Sequence, residues 1–332
     1  MIKVIHFQRK PNYAIYSIER LFEDIRSAIP DDINVEVHMN YYSSEGFWRR
    51  LYDILRAALK QGDVNHVTGD VHFITYLLKR KKTILTIHDC GTLERLCGWR
   101  YWIFWFFWYW LPAKRSAVIT VISESTKKEL QRYLRSNGFR IEVIPDCVSS
   151  EFQPYEKTFN QKCPRILQVG TTKNKNIERV AEALSGLSCC LVIIGQLSNQ
   201  QRIALQKYDI NFENHVGISR NEMVSQYQQA DILIFVSLYE GFGLPILEAN
   251  AVGRPVITSN LYSMPEVGGD AACYVNPYKV TDIRSAIEKI INDVSYRNKL
   301  IDNGFRNVKR FRSDAIANQY AALYRALDKQ EA

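Results

Sequence analysis

Two glutamates, Glu240 and Glu248, flank a glycine-bearing turn and are the residues of this chain best placed to do chemistry. Between them, Gly241 and Gly243 would let the backbone approach a ligand closely, because glycine has no side chain to obstruct it. Free N–H groups at the start of a following helix favour an anion such as a phosphate. The spacing therefore predicts a binding site for a phosphate-bearing ligand, with one carboxylate before the turn and one in the helix.

The residues around this turn predict a strand, a turn and a short helix. Residues 230–236 form an apolar run rich in β-branched side chains, which is typical of a buried parallel strand. Pro245 suits a first helical position, and Gly253 suits the end of the helix. Because ligands of open α/β sheets bind at the carboxyl ends of the strands, the two glutamates are expected at a ligand-binding edge.

The run EGFGLPILE, from Glu240 to Glu248, resembles the E-x7-E signature of retaining GT-B glycosyltransferases, family 4 type. The similarity continues through residues 249–259 and 264–271. The alternative interpretation is that Glu248 only complements a helix N-terminal dipole and that Glu240 is a solvated turn residue. The resemblance implies an α/β protein of the GT-B fold, in which two Rossmann-like domains with parallel sheets face a central cleft.

The resemblance also implies roles for residues of the C-terminal half. Glu248 is expected to bind ribose hydroxyls, and Glu240 is expected to contact the transferred sugar. Lys175 is expected to hold the donor diphosphate, and Lys173 would compensate for Asn174, which occupies a position where the family usually has arginine. The other expected donor contacts are Gly170, Val216, Gly241, Phe242, Gly243 and Leu244.

In the N-terminal half, His88 and Asp89 follow the buried strand pattern of residues 83–87 and resemble a His-Asp pair that faces the donor sugar in this family. His88 could donate to a sugar hydroxyl or carry charge near a developing oxocarbenium ion. The alternative is a helix entry with Asp89 as its N-cap. The first loop lacks the glycines common in the family, and its Arg9 and Lys10 either hold a phosphate of the donor or of a lipid-phosphate acceptor, or form an exposed basic loop.

An unusually aromatic segment follows. Five of the six tryptophans lie within residues 99–110, and residues 101–111 are all apolar or aromatic. A bilayer span needs about 20 residues, so this run is too short to cross a membrane. Tryptophan and tyrosine favour the membrane interface, and flanking arginine and lysine favour an anionic surface. We therefore expect residues 99–115 to contact a membrane through Trp102, Trp105 and Trp108; the alternative is a buried core helix.

Composition limits the classes of protein that fit. A chain of 332 residues accommodates two domains, and a hydrophobic content of 46% excludes a disordered chain. The net charge of +8 favours an acidic partner, but the basic residues are spread along the chain, which argues against a nucleic-acid binder. The seven cysteines are scattered, as in a reduced cytosolic protein, and the chain begins directly with a strand pattern rather than a signal peptide.

The resemblance implies an N-terminal acceptor-binding domain at residues 1–150, a C-terminal nucleotide-sugar-binding domain at 164–305, and a final helix at 306–332 that could return to the first domain. The activity implied by the resemblance is retaining, hexosyltransferase-type transfer (EC 2.4) from a UDP- or GDP-sugar. The aromatic segment adds the expectation of a lipid-linked saccharide acceptor, in polysaccharide or glycolipid biosynthesis. No cofactor or metal is expected, since the chain has no Asp-x-Asp and no His/Cys cluster with ligand spacing. The expected location is the inner face of the membrane. The alternatives are a noncatalytic membrane-bound scaffold and a nucleotide-sugar epimerase.

Overall fold

The chain folds into two compact units. The computed structural model describes residues 1–10, 17–135 and 138–329. One unit holds the described residues of Met1–Cys147 and Ser313–Ala332, and the other is Val148–Arg312. The N-terminal unit is therefore assembled from two separate stretches of chain, whereas the C-terminal unit is continuous.

The N-terminal unit contains a six-stranded parallel sheet with strand order β2-β1-β3-β4-β5-β6. Strands β3, β4 and β5 are buried along their whole length, as expected of a parallel sheet covered on both faces. The strands are β1 Ile2–Gln8, β2 Ile33–Met39, β3 Val64–Val67, β4 Thr83–Ile87, β5 Val118–Val121 and β6 Ile141–Val143.

Helices connect these strands. The helix after β5 begins where Ser123 accepts a hydrogen bond from the N–H of Thr126, an N-cap that satisfies one of the free donors of the first turn. The α-helices of this unit are Ser17–Ser27, Phe47–Ala58, Gly91–Arg95, Gly98–Phe104, Leu111–Lys114, Glu124–Leu134 and Ser313–Asp328, with 3₁₀ turns at His72–Leu77 and Arg80–Lys82 and π-type spacing at Trp105–Trp110.

The last helix, Ser313–Asp328, completes the core of the N-terminal unit. Its buried face packs with Val4, Phe22 and other residues of the first stretch. The hydroxyl of Tyr324 is hydrogen-bonded to Nε2 of His6 at 2.9 Å and to Nδ1 of His66 at 2.8 Å. Burial lowers the pKa of His66 to about 3 and lowers the pKa of His6 well below its usual value, so both rings are neutral members of the core.

The C-terminal unit contains a second six-stranded parallel sheet, with strand order β12-β11-β10-β7-β8-β9. Its strands are β7 Arg165–Val169, β8 Cys190–Ile194, β9 Phe212–His215, β10 Ile232–Phe235, β11 Val256–Ser259 and β12 Ala272–Val275. Its α-helices are Ile177–Leu184, Asn199–Lys207, Arg220–Gln229, Leu244–Val252, Met264–Gly268, Val280–Asn292 and Val294–Val308, with 3₁₀ turns at Lys173–Lys175 and Lys309–Phe311.

Local sequence signals explain where several of these helices begin. Ser198 with Gln201, and Ser219 with Glu222, form capping boxes in which each side chain bonds the other residue's backbone N–H. Asp293 caps the helix Val294–Val308 through the N–H of Tyr296. The predicted α/β class, with two parallel sheets covered by helices, is confirmed.

Candidate active site

The candidate site of the C-terminal unit lies where the strand order of its sheet reverses. From β7 the chain proceeds outward through β8 and β9, then returns to place β10 on the other side of β7. The carboxyl ends of β7 and β10 therefore border the switch point, where open α/β sheets bind ligands. The turn Lys173–Lys175 follows β7, and Glu240 follows β10.

Lys175 and Glu240 form an ion pair at this point. The distance from Lys175 Nζ to Glu240 Oε1 is 2.6 Å, and each side chain is 15% exposed. The same ammonium lies 4.4 Å from the ring centroid of Phe235, so a cation–π contact also holds it. The pair places one positive and one negative charge at the end of the sheet, each partly accessible to a ligand.

Gly170 makes room for the Lys175 side chain. A Cβ at Gly170 would lie 2.8 Å from Cε of Lys175, and the backbone φ of +87° is one that other residues rarely adopt. The backbone angle favours glycine, and any other side chain would also displace the lysine. The structure thus shows Gly170 as a neighbour of Lys175, and its contact with the donor stays a prediction.

Asn174 is bound to the turn that carries Glu240. Its side-chain nitrogen donates to the carbonyl of Tyr239 at 2.9 Å and to Oε1 of Glu240 at 3.3 Å, and its backbone carbonyl accepts from the N–H of Leu238 at 2.7 Å. In this chain the position that the family usually gives to arginine thus supports the carboxylate. The side chain of Lys173 is exposed beside it.

Asn176 connects the loops behind the site. Its backbone is left-handed, with φ of +61°, and its buried amide nitrogen donates to the carbonyls of Val236 at 3.2 Å and Pro277 at 2.8 Å. Its Oδ1 accepts from Arg179 at 2.9 Å. Asn176 therefore fixes the direction of the chain immediately after Lys175.

The glycine turn is rigid and leads into the helix Leu244–Val252. Gly243 has φ of +112°, and a Cβ there would lie 3.2 Å from Ile246 Cδ1. The Ser263 hydroxyl lies 3.0 Å from the carbonyl of Glu240 and 2.7 Å from that of Phe242, so it can donate its hydrogen to either. The first N–H groups of the helix are thereby held at the same edge as Lys175, in a position that favours an anion.

Glu248 is held within this helix by two partners. The hydroxyl of buried Tyr227 donates to its Oε2, and Nη1 of Arg220 lies 3.8 Å from its Oε1. Burial raises the pKa of Glu248, while the hydrogen bond from Tyr227 and the charge of Arg220 oppose this rise. Arg220 also stacks on Phe152, with its guanidinium carbon 4.6 Å from the ring centroid.

His88 lies at the carboxyl end of β4 in the N-terminal unit. Its Nε2 is 2.9 Å from the carbonyl oxygen of Thr68; since a carbonyl can only accept, Nε2 carries the hydrogen. Its Nδ1 faces Asp146 Oδ1 at 3.9 Å, and burial raises the pKa of Asp146 to about 6. Asp89 accepts a hydrogen bond from the N–H of Gly91 at 2.8 Å, the local contact expected of a residue at a helix entry.

Arg9 follows β1, beside the switch point of the N-terminal sheet between β1 and β3. Its guanidinium pairs with Glu19 and with Asp70, at 2.6 Å in each case. Two carboxylates thus balance the cation, and a phosphate would compete with them. Lys10 is exposed. Val216, the predicted neighbour of the nucleobase, is 52% exposed in the loop after β9.

The aromatic segment is helical from Gly98 to Lys114 without interruption, and we call it the aromatic helix. Trp102 is exposed, but Trp105 and Trp108 pack partly against the core, and the Trp105 indole donates to the carbonyl of Tyr133 at 2.8 Å. The exposed large hydrophobic side chains of this helix are Trp99, Trp102, Ile103, Phe106 and Phe107. Of the three tryptophans predicted to contact a membrane, Trp102 is therefore exposed, whereas Trp105 and Trp108 are partly buried.

The described residues contain neither a cluster of metal-binding side chains nor a helix that could span a membrane. Within residues 1–10, 17–135 and 138–329, no group of three or more His, Cys, Asp or Glu side chains is placed to hold a metal ion. Within the same residues, no helix has the length and apolar character needed to cross a bilayer.

Sequence reasoning missed the residues that support the site. Tyr227, Arg220 and Ser263 each contact a predicted site residue or its turn from a distant part of the chain. Such residues form no sequence motif with the site residues they contact, so only the three-dimensional structure identifies them.

Comparison with known proteins gave concordant matches. The O-antigen chain mannosyltransferase B of Escherichia coli is 39% identical over 101 residues, covering 30% of this chain and 26% of that protein. The O-antigen chain mannosyltransferase RfbU of Salmonella typhimurium is 27% identical over 245 residues, covering 71% of this chain and 67% of that protein. The first curated relatives are matched over only 26–30% of their length.

Among solved structures, sucrose-phosphate synthase from Thermosynechococcus elongatus has a similar fold, with a TM-score of 0.81 at 18% identity, covering 98% of this chain and 99% of that chain. Two family models match almost the whole sequence between them. The model for Glycosyltransferase Family 4 matches residues 17–152, and the model for Glycosyl transferases group 1 matches residues 149–307. The chain therefore belongs to the glycosyltransferases of the GT-B fold.

Proposed function

We propose that this glycosyltransferase moves a sugar, with retention of anomeric configuration, from a nucleoside-diphosphate sugar to a lipid-linked saccharide in polysaccharide synthesis. The observation that carries the proposal is the Lys175–Glu240 pair at the switch point of the C-terminal sheet, next to a helix N-terminus. That arrangement offers a cation and free N–H groups to a diphosphate and a carboxylate to a sugar.

In the proposed reaction, the bond between the anomeric carbon and the diphosphate oxygen breaks, and a bond to an acceptor hydroxyl oxygen forms on the same face. The electron pair of the broken bond leaves with the diphosphate, which also takes up the hydroxyl proton. Lys175 and the N-terminus of the helix Leu244–Val252 stabilise the departing charge, as preorganised donors do. Glu240 contacts the transferred sugar, Glu248 accepts from ribose hydroxyls, and His88 donates to a sugar hydroxyl through Nε2 after exchanging its bond to Thr68.

The names of the relatives support mannose as the sugar. O-antigen chain mannosyltransferases of Escherichia coli and Salmonella typhimurium are among them. The capsular polysaccharide biosynthesis glycosyltransferase CapM of Staphylococcus aureus supports polysaccharide synthesis, and its name states no sugar. A thermal-shift panel of UDP, GDP and ADP with their mannose and glucose conjugates would identify the donor. A ligand at a hundred times its dissociation constant stabilises the folded protein by about 2.7 kcal/mol.

Glu240→Gln tests the assignment of the site. The amide keeps the shape of the side chain but removes its charge, and we expect turnover to fall at least about a hundredfold, a barrier increase of about 2.7 kcal/mol. The matched control is Glu182→Gln, which makes the same change at an exposed position of the helix Ile177–Leu184. Near-normal turnover of Glu240→Gln would refute the role of this carboxylate.

Two alternative functions have separate tests. An epimerase would convert the donor to its epimer in the absence of any acceptor, which chromatography of the sugar nucleotide would detect. A noncatalytic scaffold would bind no nucleotide in the thermal-shift panel. Intact Glu240, Glu248, Lys175 and His88 support the enzyme over the scaffold.

We also propose that the aromatic helix rests on the anionic inner face of a membrane. Its exposed aromatic side chains, with Arg100 and Lys114 also exposed along it, support this. Replacing Trp102, Phe106 and Phe107 together by serine should release the protein from anionic vesicles in a sedimentation assay. Tyr155→Ser, an exposed aromatic change in the other unit, serves as the control. Unchanged sedimentation of the triple variant would contradict membrane contact through this helix.

A further inference from the structure

A large apolar cavity lies in the N-terminal unit, apart from the charged site described above. It has a volume of about 730 Å³ and is bordered by the helix Phe47–Ala58 and the aromatic helix. Twelve of its fourteen lining residues are aromatic or aliphatic, and the other two are Arg50 and Arg100. The volume falls within the range of sites for small organic ligands, roughly 300–1,000 Å³.

The cavity is deep on one side and open on the other. Ile54 and Phe73 are buried in its wall, whereas Phe47 and Trp99 are 70% and 68% exposed at its mouth. Exposed aromatic side chains at the mouth of an apolar cavity leave a continuous apolar surface from solvent to interior. Such a surface is costly in water unless a ligand or a membrane covers it.

The two arginines give the cavity a positive edge. The guanidinium of Arg50 lies 4.6 Å from the ring centroid of Trp108 and donates to the carbonyl of Ser44 at 2.7 and 3.1 Å, which fixes its position. Arg100 is exposed, and its guanidinium lies 5.5 Å from the ring of Trp99. No lining residue carries a carboxylate, so a ligand with an anionic end meets no like charge.

The chemistry of the wall selects among ligands. A saccharide needs hydrogen-bonding partners for its hydroxyls along its whole length, whereas the main polar groups of this lining are the two arginines at its edge. The hydroxyl of Tyr76 is already committed to the carbonyl of Phe107. A hydrocarbon chain needs none. We propose that the cavity holds the hydrocarbon chain of a single anionic lipid phosphate, with the phosphate beside Arg50 and Arg100.

This inference deepens the proposed function and rests on it, since it assigns the lipid of a lipid-linked acceptor to a defined site. It also differs from adsorption of the aromatic helix to a bilayer. A cavity of fixed volume binds one chain per protein and distinguishes chain lengths, whereas a surface on a bilayer does neither.

The test is calorimetric titration of the full-length protein with octyl, decyl and dodecyl phosphate, each below its critical micelle concentration. We expect a stoichiometry of one and an affinity that rises about fourfold for each added methylene, as for burial of a hydrocarbon chain. Arg100→Gln should weaken binding of decyl phosphate about three- to tenfold and leave binding of decanol unchanged.

Leu51→Trp fills the cavity and should abolish binding. Leu55→Trp makes the same change one turn later on the same helix, at an exposed position outside the lining, and should bind normally. Far-UV circular dichroism verifies that both variants fold. Equal binding by the two variants, or no saturable binding of any alkyl phosphate by the unmodified protein, would overturn the proposal. Donor binding in the thermal-shift panel is measured on the same samples, so a failed lipid site is distinguished from a failed assignment as a transferase.

Discussion

Two replacements of Asn176 distinguish two contributions to the stability of the candidate donor site: the hydrogen bonds of this side chain and the left-handed conformation of its backbone. Its side chain is 2% exposed, donates to the carbonyls of Val236 and Pro277, and accepts from Arg179. Asn176→Ala removes these bonds, at about 1 kcal/mol each, and places a side chain on a left-handed residue, which costs about 1 kcal/mol more. The expected loss is about 3–5 kcal/mol.

Asn176→Gly removes the same hydrogen bonds but tolerates the φ of +61°. Its expected loss is about 2–4 kcal/mol, so glycine should be the more stable variant by about 1 kcal/mol. In a helix, an alanine variant is usually more stable than a glycine variant. A glycine variant that is the more stable of the two would therefore indicate a left-handed backbone at this position.

Urea unfolding measures the effect. All six tryptophans lie in the N-terminal unit, so their emission does not report on the unit that carries Asn176, and far-UV circular dichroism is the necessary signal. With a urea dependence of about 2–3 kcal/mol/M, the dichroism midpoint should fall by roughly 1–2 M for the alanine variant. A glycine variant less stable than the alanine variant, or a loss below about 1 kcal/mol for either, would refute the reasoning.

Two further predictions follow from buried titratable groups. Tyr227→Phe removes a hydrogen bond that stabilises the ionised form of Glu248, so it should raise the pKa of Glu248 further. The midpoint of nucleotide affinity, measured as a function of pH, should then move to higher pH. An unmoved midpoint would contradict a role for the ionised carboxylate. The pKa of His66 is about 3 in the folded protein and about 6.5 in the unfolded chain. Below pH 6.5 the unfolded chain therefore binds a proton at His66 that the folded protein does not, and the free energy of unfolding falls by about 1.4 kcal/mol per pH unit as pH falls. His66→Gln should flatten the decline in N-terminal stability, followed by tryptophan emission between pH 6.5 and 5, by that amount; equal slopes would show that His66 is not buried as a neutral ring.

The strands and the main turn could be predicted because buried parallel strands appear as uninterrupted apolar runs. The predicted strand 83–87 coincides with Thr83–Ile87, and the predicted strand 230–236 contains Ile232–Phe235. The glycine turn between Glu240 and Glu248 was also readable, since it depends on neighbouring residues alone.

Long-range contacts were not readable from sequence. Arg9 was expected either to bind phosphate or to lie in an exposed loop, yet its carboxylate partner Asp70 comes from the end of another strand, 61 residues away. The aromatic composition suggested membrane contact through Trp102, Trp105 and Trp108, but steps of three residues along a helix turn these side chains in different directions, and Trp105 and Trp108 pack partly against the core. Which residues oppose each other across a fold depends on strand order, which local patterns do not contain.

The helix Ser313–Asp328 has a consequence for synthesis of the protein on the ribosome. The 165 residues of Val148–Arg312 are translated between the two stretches that form the N-terminal unit. At about 5–20 residues per second, the first sheet waits roughly 10–30 s for Tyr320 and Tyr324 to emerge and cover His6 and His66. During that interval its apolar face is open to solvent while the second unit can already fold. The nascent chain is thus expected to mature in reverse order, C-terminal unit first, because the N-terminal unit cannot complete its core before Tyr320 and Tyr324 have been made.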